Sequence, residues 1–276
     1  MRAIGIIAGR EILIGVRNRW VLATTLLLAA LALSLVFLGS APTGHVAAGA
    51  LDVVVVSLSS LTIFLLPLIA LLLSHDALAG ELELGTLPLL LSYPVARWHV
   101  VLGKFIGHSL VLVFATAVGY GAAAGAVALT GVDLLGESIA AFAAMIASSI
   151  LLGAAFIAIG CCISTLTRQR STAAGIAIGV WFVLVLLYDG MLLGVLVVDQ
   201  GRIVTAGVLK VLLLLNPTDV YRMFNLGGFA DVSRLAGMAS VTGTAGVGQP
   251  VLMLALIGWI VVPLTTAMAV FARREI

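Results

Sequence analysis

The residues of this chain that could carry out chemistry are few and stand far apart. Gly103-Lys104 resembles the end of a nucleotide phosphate-binding loop, but the leading glycine and the Ser or Thr that would follow the lysine are missing. We therefore expect no ATP hydrolysis by this chain. Neither the Gly-x-Ser-x-Gly motif of serine hydrolases nor the His-Glu-x-x-His motif of zinc proteases occurs. The sequence thus predicts no catalytic centre and no cofactor bound by this chain.

Side chains that commonly bind metals are dispersed as well. Cys161 and Cys162 are adjacent, so on a helix they do not face each other, and no further soft ligand lies near them in the sequence. We interpret them as small core residues. The histidines fall in separate loops and helix ends, at His45, His75, His99 and His108. This spacing does not support a metal site.

Asp189 is the clearest ionisable residue inside a long apolar stretch, which makes it a candidate functional residue. It lies about 26 Å along a helix that starts at Thr172, and this places it near the far surface of a bilayer. Two interpretations stay open: a capped or hydrated acid at the interface, or a polar contact that steers an outer gate. A single intramembrane acid argues against a proton- or sodium-coupled pump.

The composition places these residues in a membrane protein. Of 276 residues, 62% are hydrophobic and 9% are charged, and the mean hydropathy is +1.27. A soluble domain of this size cannot bury so much apolar surface and still cover itself with polar side chains. The composition also excludes a disordered chain and a disulfide scaffold.

Six stretches are apolar over the roughly 20 residues that a spanning helix needs. Pro67 and Pro263 predict kinks in the second and the sixth stretch. We predict an all-α membrane protein with spans at Trp20–Leu38, Val53–Leu73, Phe105–Leu129, Ile139–Ile163, Thr172–Val198 and Val251–Phe271.

The basic residues predict the orientation. With six spans both termini lie on the same side, and that side holds ten of the fourteen Lys and Arg residues. The positive-inside rule then places both termini of this multi-pass membrane protein in the cytoplasm. The ten residues are Arg2, Arg10, Arg17, Arg19, Arg97, Lys104, Arg168, Arg170, Arg273 and Arg274.

Residues 1–19 precede the first span and show a helical pattern. Ile4, Ala8, Ile12 and Val16 recur at four-residue spacing, while Arg10 and Arg17 share another face. The pattern predicts an amphipathic helix in the cytoplasmic membrane interface. The alternative is a basic anchor that only sets the topology.

The cytoplasmic loop at residues 74–104 is the most informative segment. Acidic residues come first, then Gly85-Thr86, then the apolar run Leu87 to Leu91, which is too short to cross a membrane. Gly85 permits an unusual backbone angle, and Thr86 could cap a helix with Pro88 in its first turn. An apolar patch beside acids favours a protein docking site. The alternative is a re-entrant segment packed on the protein's own core.

Residues 199–250 form the last outer connection, which is long for a loop in a compact protein. Val208 to Leu215 is apolar but too short to span, and we predict a helix that dips into the outer leaflet and stops at Asn216-Pro217. Thr218-Asp219 could start a second helix. The Gly-, Ser- and Thr-rich stretch after Asn225 is predicted as loop.

Several glycine pairs have the spacing that lets membrane helices approach closely. The sequence does not show whether each pair faces a neighbouring helix or a second subunit. The pairs are Gly103 with Gly107, Gly121 with Gly125, Gly175 with Gly179, and Gly190 with Gly194.

Together these elements resemble an ABC-2 type transporter permease, with the type V exporter-like architecture. The likeness covers nearly the whole chain. It is carried by Gly80-Glu81-Leu82-Glu83-Leu84-Gly85-Thr86-Leu87, by Ser92 to Arg97 and by Leu102-Gly103-Lys104. Leu212 to Arg222, with its Asn-Pro-Thr-Asp-Val-Tyr-Arg sequence, resembles the branch that serves maturation of nitrous oxide reductase.

The resemblance implies one permease domain over residues 1–276, located in the bacterial inner membrane and acting as a homodimer with two cytoplasmic ATPase subunits. It also implies a periplasmic β-helical subunit, a copper chaperone and contact with membrane lipid, and it implies no nucleic acid. ATP and Mg²⁺ would sit on the ATPase and copper on the periplasmic partners. The implied function is to couple ATP hydrolysis to assembly of the copper–sulfide centre, by force transmission or by export of a sulfur species.

The resemblance also implies roles for particular residues. The ATPase would dock on a coupling helix through Glu81, Glu83, Gly85, Thr86, Leu87, Leu90 and Arg97. The periplasmic partner would contact Asn216, Asp219, Tyr221, Arg222 and Phe224. Two alternatives remain: an ABC-2 exporter of lipid, polysaccharide or drug, and a secondary transporter or channel that works without an ATPase.

Overall fold

A computed structural model describes residues 2–17, 19–39, 50–129, 136–199, 205–227 and 247–274. Within these ranges all regular secondary structure is helical, as the sequence predicts. The helices are α1 (Arg2–Arg17), α2 (Arg19–Gly39), α3 (Ala50–Ser74), α4 (Ala79–Glu83), α5 (Leu87–Leu91), α6 (Arg97–Leu129), α7 (Gly136–Leu166), α8 (Arg170–Trp181), α9 (Tyr188–Asp199), α10 (Ala206–Leu214), α11 (Pro217–Gly227) and α12 (Gln249–Arg273).

Helices α8 and α9 form one continuous rod because the residues between them, Phe182–Leu187, are wound as a π-helix. In the described residues, five helical stretches are long and apolar enough to cross a membrane: α3, α6, α7, the α8–α9 rod and α12. The first predicted span falls in α2, where the apolar stretch found, Thr25–Ser34, is shorter than a spanning helix needs. The six-span count therefore stays a prediction.

Helix α6 begins eight residues before the span predicted at Phe105. The prediction stopped there because Arg97 and Lys104 are charged. Both charges are instead neutralised or hydrogen-bonded by other parts of the chain, as described below, so the helix continues through them. At about 1.5 Å per residue, its 33 residues reach roughly 50 Å, against a hydrocarbon core of about 30 Å.

Helix α7 is the centre of the bundle. It packs along α3 on one side and α12 on another, and it also contacts α6 and α11. Phe156 and Leu152 of α7 are fully buried in the main core with Leu66 of α3 and Leu256 of α12. Helix α6 also packs against α1 and α2. The α8–α9 rod lies at the edge and leaves most of its apolar side chains exposed.

The bundle has two ends with different polar features. We call the end with α4 and α5 the inner end, and the end with α10 and α11 the outer end, following the predicted orientation. The long apolar helices between them position both ends. Residues at each end supply the candidate functional groups.

Candidate functional site

The loop at the inner end folds into two single-turn helices joined by a tight turn. Gly85 lies between α4 and α5 with a φ angle of 67°, in the left-handed region that glycine adopts without strain. Pro88 occupies the first turn of α5, as predicted. Thr86 takes the position that precedes α5, but its side chain does not cap the helix. Its hydroxyl instead donates a 3.2 Å hydrogen bond to the Glu81 carbonyl.

The two helices turn one apolar face inward and another outward. Leu87 is 1% exposed and packs with Val100 and Phe271, whereas Leu89, two residues further on, is 67% exposed. Leu84 and Tyr93 are exposed to the same degree as Leu89. We call Leu84, Leu89 and Tyr93 the apolar loop face. The loop is therefore packed on the core through one side and still presents apolar surface on the other.

Helix α4 is fixed to the helices around it. The Ser164 hydroxyl of α7 accepts hydrogen bonds from the backbone N–H groups of Leu78 and Ala79, both at 2.9 Å. Glu83 Oε2 accepts a hydrogen bond of 2.7 Å from the N–H of Arg170, the first residue of α8. The loop is thereby connected to the inner ends of both α7 and α8.

A buried ionic cluster connects the same loop to α1 and α6. Lys104 Nζ donates to Glu11 Oε1 at 2.7 Å and to Glu81 Oε1 at 2.9 Å, and the Lys104 side chain is only 4% exposed. Arg10 lies 3.4 Å from the same oxygen of Glu81. Glu11 Oε2 is 4.0 Å from His108 Nε2. The cluster joins α1, α4 and α6 at one point.

Glycines let α1 approach α6 closely. A Cβ atom at Gly107 would lie 2.5 Å from Glu11 Cβ, and one at Gly103 would lie 2.8 Å from Ile7 Cβ. The face of α1 turned toward α6 thus runs through Ile7 and Glu11. The predicted apolar stripe Ile4, Ala8, Ile12 and Val16 is only partly this face: Ala8 is buried, while Ile4 and Ile12 are half-buried. Large apolar side chains, among them Ile6 and Leu13, stay exposed beside Arg10.

Arg97, predicted to contact an ATPase, is used within the chain. Its Nη1 atom donates to the carbonyls of Phe271, Ala272 and Arg274 at 3.3, 3.1 and 2.5 Å, which satisfies the carboxyl end of α12. Arg274 in turn donates to the carbonyls of Thr165 and Thr167 at the end of α7, at 2.6 and 2.8 Å. Two arginines therefore hold the inner ends of three helices together.

The predicted docking residues thus divide by environment. Glu81, Glu83 and Arg97 make intramolecular contacts, Leu87 is buried and Leu90 is half-buried, while Gly85 and Thr86 are exposed. The sequence predicts an apolar docking patch here, but Leu84, Leu89 and Tyr93 are not among the predicted docking residues. The signal for this face was the position of Leu89 relative to Leu87, because residues two apart point to nearly opposite sides of a helix.

At the outer end, the structure brings Asp189 together with the predicted outer residues. Arg222 donates to Asp189 Oδ2 at 2.5 Å and to Asp219 Oδ1 at 2.7 Å. Asn216 donates to the other Asp219 oxygen at 3.1 Å. Asp189 is therefore a partnered acid in this structure, and its partner is an arginine of α11.

The π-helical stretch of the α8–α9 rod is part of this cluster. A π turn interrupts the regular i to i−4 hydrogen bonding of a helix, which lets a carbonyl accept bonds from outside the helix. The Leu184 carbonyl accepts a 2.8 Å hydrogen bond from the Asn216 amide, and the Thr218 hydroxyl, which donates to Asn216 Oδ1 at 2.8 Å, lies 3.4 Å from the same carbonyl. The Tyr188 hydroxyl donates to the Leu212 carbonyl of α10 at 2.6 Å. The outer helices are thus bonded to the rod.

Most of the predicted outer contact residues are buried within the chain. Asn216, Asp219, Tyr221 and Phe224 have little or no exposed surface, and Arg222 is partly exposed. Burial, together with the nearby Asp189, raises the pKa of Asp219 to about 7, although Arg222 acts in the opposite direction. Direct contact of these residues with a partner stays a prediction, and Arg222 is the member that offers exposed surface.

Helix α11 is also bonded to the bundle core. The Tyr221 hydroxyl lies 3.0 Å from the Ser149 hydroxyl, and Asn225 Nδ2 donates to Ser148 Oγ at 2.9 Å. Helix α11 therefore bonds to α7 through Tyr221 and Asn225. It bonds to the α8–α9 rod through Arg222 and through Asn216 and Thr218 at its start.

No metal centre is formed by the part of the chain that the structure describes, since no three His, Cys, Asp or Glu side chains there could hold an ion together. Cys161 is buried and Cys162 is half-buried, and both are free thiols.

The glycine pairs differ in their surroundings. Gly103 and Gly107 face α1, whereas Gly175, Gly179, Gly190 and Gly194 have no atom within 4 Å of an added Cβ.

Comparison with known proteins extends these observations. Residues 6–276 match the family described as ABC-2 family transporter protein. The chain is 46% identical over 270 residues to the probable ABC transporter permease protein NosY of Stutzerimonas stutzeri, covering 97% of both chains. It is 44% identical over 277 residues to the protein of the same name from Pseudomonas aeruginosa, covering all of both chains.

Proposed function

The chain belongs to the ABC-2 family of transporter permeases, and we propose that it is the membrane subunit of an ABC transporter that serves the maturation of nitrous oxide reductase. A permease of an ABC transporter works with ATPase subunits, and this chain lacks ATPase motifs of its own. The full-length identity to permeases named NosY supports the specific proposal. So does the sequence Asn216 to Arg222, which the resemblance to that branch rests on.

The structural observation that carries the proposed work with an ATPase is the apolar loop face at the inner end. Leu84, Leu89 and Tyr93 are exposed on a short loop that projects between two apolar helices. A loop outside the membrane gains nothing from exposing such side chains unless another protein covers them. We assign this face to the ATPase subunit, in the cytoplasm, with Glu83, Gly85 and Thr86 beside it.

The contacts around the loop suggest how ATPase motion would enter the membrane. ATP binding would draw the two ATPase subunits together and carry each loop with them. Because α4 is bonded to α6 through Lys104, to α7 through Ser164 and to α8 through Arg170, the motion would reach three long helices at once. Packed helices then move as rigid bodies.

At the other end, α10 and α11 would transmit the motion to a periplasmic β-helical partner. The buried residues Asn216, Asp219, Tyr221 and Phe224 would set the position of α11, and Arg222 would supply contact surface. Either the motion itself or export of a sulfur species would assist assembly of the copper–sulfide centre. Copper would be handled by the periplasmic partners rather than by this chain.

We further propose that the chain forms a homodimer in the bacterial inner membrane, with both termini in the cytoplasm. The exposed apolar side of the α8–α9 rod supports this, because its glycines at 175, 179, 190 and 194 are open to close approach by another helix. The remainder of the exposed apolar surface would contact lipid.

The docking assignment is tested by substitution of the apolar loop face. We expect Leu89→Asp and Tyr93→Ala to reduce co-purification of the ATPase subunit and to lower the ATPase rate of the assembled complex. Leu215→Asp is the matched control, since Leu215 is similarly exposed but lies at the outer end. Equal retention of the ATPase by all three variants would contradict the assignment.

The maturation role is tested in the host. The gene is deleted, nitrous oxide reductase is purified and its copper–sulfide centre is examined by absorption and electron paramagnetic resonance spectroscopy. We expect the centre to be missing and to return with the intact gene. Normal assembly of the centre would leave an ABC transporter permease with a different cargo, such as lipid, polysaccharide or drug.

A further inference from the structure

We propose that Lys104 is a positioning residue that attaches helix α1 to the inner loop that docks the ATPase. Movement of this loop would then reach α2 as well as α6, α7 and α8. The proposal deepens the proposed function and rests on it for the source of the movement. Its structural core, the attachment of α1 to the loop through Lys104, can be tested without any partner.

The first observation is the geometry of the ionic cluster. Lys104 Nζ lies 2.7 Å from an oxygen of Glu11 on α1 and 2.9 Å from an oxygen of Glu81 on α4. All three side chains are largely withdrawn from water. One ammonium group thus donates to two carboxylates from two different elements, and ionic hydrogen bonds of this kind are roughly twice as strong as those between neutral groups.

The second observation is the alignment of α1 with α6. Close approaches occur at Ile7 with Gly103, at Glu11 with Gly107 and at Gly15 with Val111, so the two helices advance in the same direction by four residues at a time. A Cβ at Gly15 would lie 2.6 Å from Val111 Cγ2. Helix α1 therefore packs against α6 over about two turns. Lys104 lies at the place where this helix pair contacts the loop.

The third observation is the connection from α1 to the membrane. Helix α1 ends at Arg17 and α2 begins at Arg19, so a single residue separates them. Helix α2 then packs along α6. A displacement of α1 cannot be absorbed by a long linker and is passed to α2. The buried ionic cluster around Lys104 would thus transfer the motion of the inner loop to α2, the first predicted span.

The test measures the distance between α1 and the loop. Spin labels are placed at Leu13 and Ala96, both exposed, in a chain whose native cysteines are replaced by Ala. Double electron–electron resonance is recorded on the full chain in lipid nanodiscs. We expect one narrow distance distribution for the unsubstituted chain and loss of that fixed distance in Lys104→Met.

Two variants serve as controls. Lys104→Arg keeps the positive charge and should keep the narrow distribution. Lys210→Met makes the same change at the other lysine of the chain, at the outer end, and should also leave it unchanged. If Lys104→Met does not fold, Glu11→Gln replaces it, because this variant weakens the hold on α1 and retains the pair of Lys104 with Glu81. A narrow, unshifted distribution in Lys104→Met or in Glu11→Gln overturns the proposal.

A third labelling site is added at Leu215, which is exposed at the outer end. Distances are then measured in the complex with its ATPase subunits, without nucleotide and with ADP trapped by vanadate after ATP hydrolysis. We expect the Leu13 to Ala96 distance to stay constant while the Ala96 to Leu215 distance shifts. A change of the first distance as large as the second overturns the proposal even though the ATPase binds. Failure of the ATPase to bind the unsubstituted chain would instead refute the proposed function and leave the nanodisc experiment as the test of attachment.

Discussion

The side-chain amide of Asn216 donates a 2.8 Å hydrogen bond to the backbone carbonyl of Leu184, inside the π-helical stretch of the α8–α9 rod. The same amide donates to Asp219, whose carboxylate also accepts from Arg222. One amide therefore links an irregular turn in a long apolar helix to the ionic cluster at the outer end. The Asn-Pro-Thr-Asp sequence is explained by this arrangement, because each polar side chain in it has a partner.

We expect Asn216→Ala to destabilise the protein by about 1–3 kcal/mol, the usual cost of leaving a buried polar group without its partner. The groups affected would be the Leu184 carbonyl, the Asp219 carboxylate, and the N–H and hydroxyl of Thr218, which donate to Asn216 Oδ1. Unfolding in mixed detergent micelles measures the change. Leu215→Ala is the matched control, because its side chain is exposed and should cost much less. Equal stability of the two variants would show that the hydrogen bonds of Asn216 do not contribute.

Stability should depend on pH through Asp219. Its pKa rises from 3.8 to about 7 in the folded chain, chiefly because of burial, so the folded chain binds this proton more tightly than the unfolded chain does. The contribution is then greatest below about pH 4 and is lost as the pH rises to about 7. Asn does not titrate, so the stability of Asp219→Asn relative to the unsubstituted chain should increase as the pH rises from about 4 to about 7. A constant difference would contradict the raised pKa.

Gly85→Ala should weaken ATPase binding without unfolding the bundle. A side chain at a φ angle of 67° costs about 1–2 kcal/mol, and the turn between the exposed residues Leu84 and Leu89 would relax. Co-purification of the ATPase measures the effect. Gly9→Ala in α1 is the control: it lies in a helix with no atom within 4 Å of the added Cβ, so it should be neutral or stabilising by up to about 1 kcal/mol.

Two glycine substitutions should separate assembly from folding. Gly179→Leu adds a side chain where the protomer has open space, so we expect an intact protomer and a weakened homodimer. Gly107→Leu adds one where Glu11 is already in contact, so we expect lower stability of the protomer itself. Light scattering of the purified chain gives the oligomeric state, and unfolding in detergent gives the stability. A dimer unaffected by Gly179→Leu would exclude this part of the rod from the interface.

The long helices could be predicted because apolar runs of spanning length allow few other structures in a membrane. The turn at Gly85 and the helix that follows Asn216-Pro217 could also be predicted, since both depend on local backbone chemistry. The extent of α6 could not be predicted. Its charged start is made possible by Glu11, which lies 93 residues from Lys104 in the sequence.

The orientation of individual side chains was harder to predict. Helix α5 has only five residues, so it contains no repeat from which to tell that Leu87 points inward and Leu89 outward. In α1, the stripe of Ile4, Ala8, Ile12 and Val16 does not include Glu11, and the structure shows Glu11 at the contact with α6. Asp189 left two interpretations open because its partner, Arg222, belongs to another helix that the spacing alone could not bring near it.

The backbone irregularities described above distribute stiffness unevenly across the bundle. Helices α6 and α7 contain no proline, while α3 contains Pro67, α12 contains Pro263 and the α8–α9 rod contains the π turn near Leu184. Each irregular site lacks part of the regular hydrogen bonding, and helices bend at such places. When a force acts on the bundle, α6 and α7 would stay straight. Helices α3 and α12 and the α8–α9 rod would bend, each at its own proline or π turn.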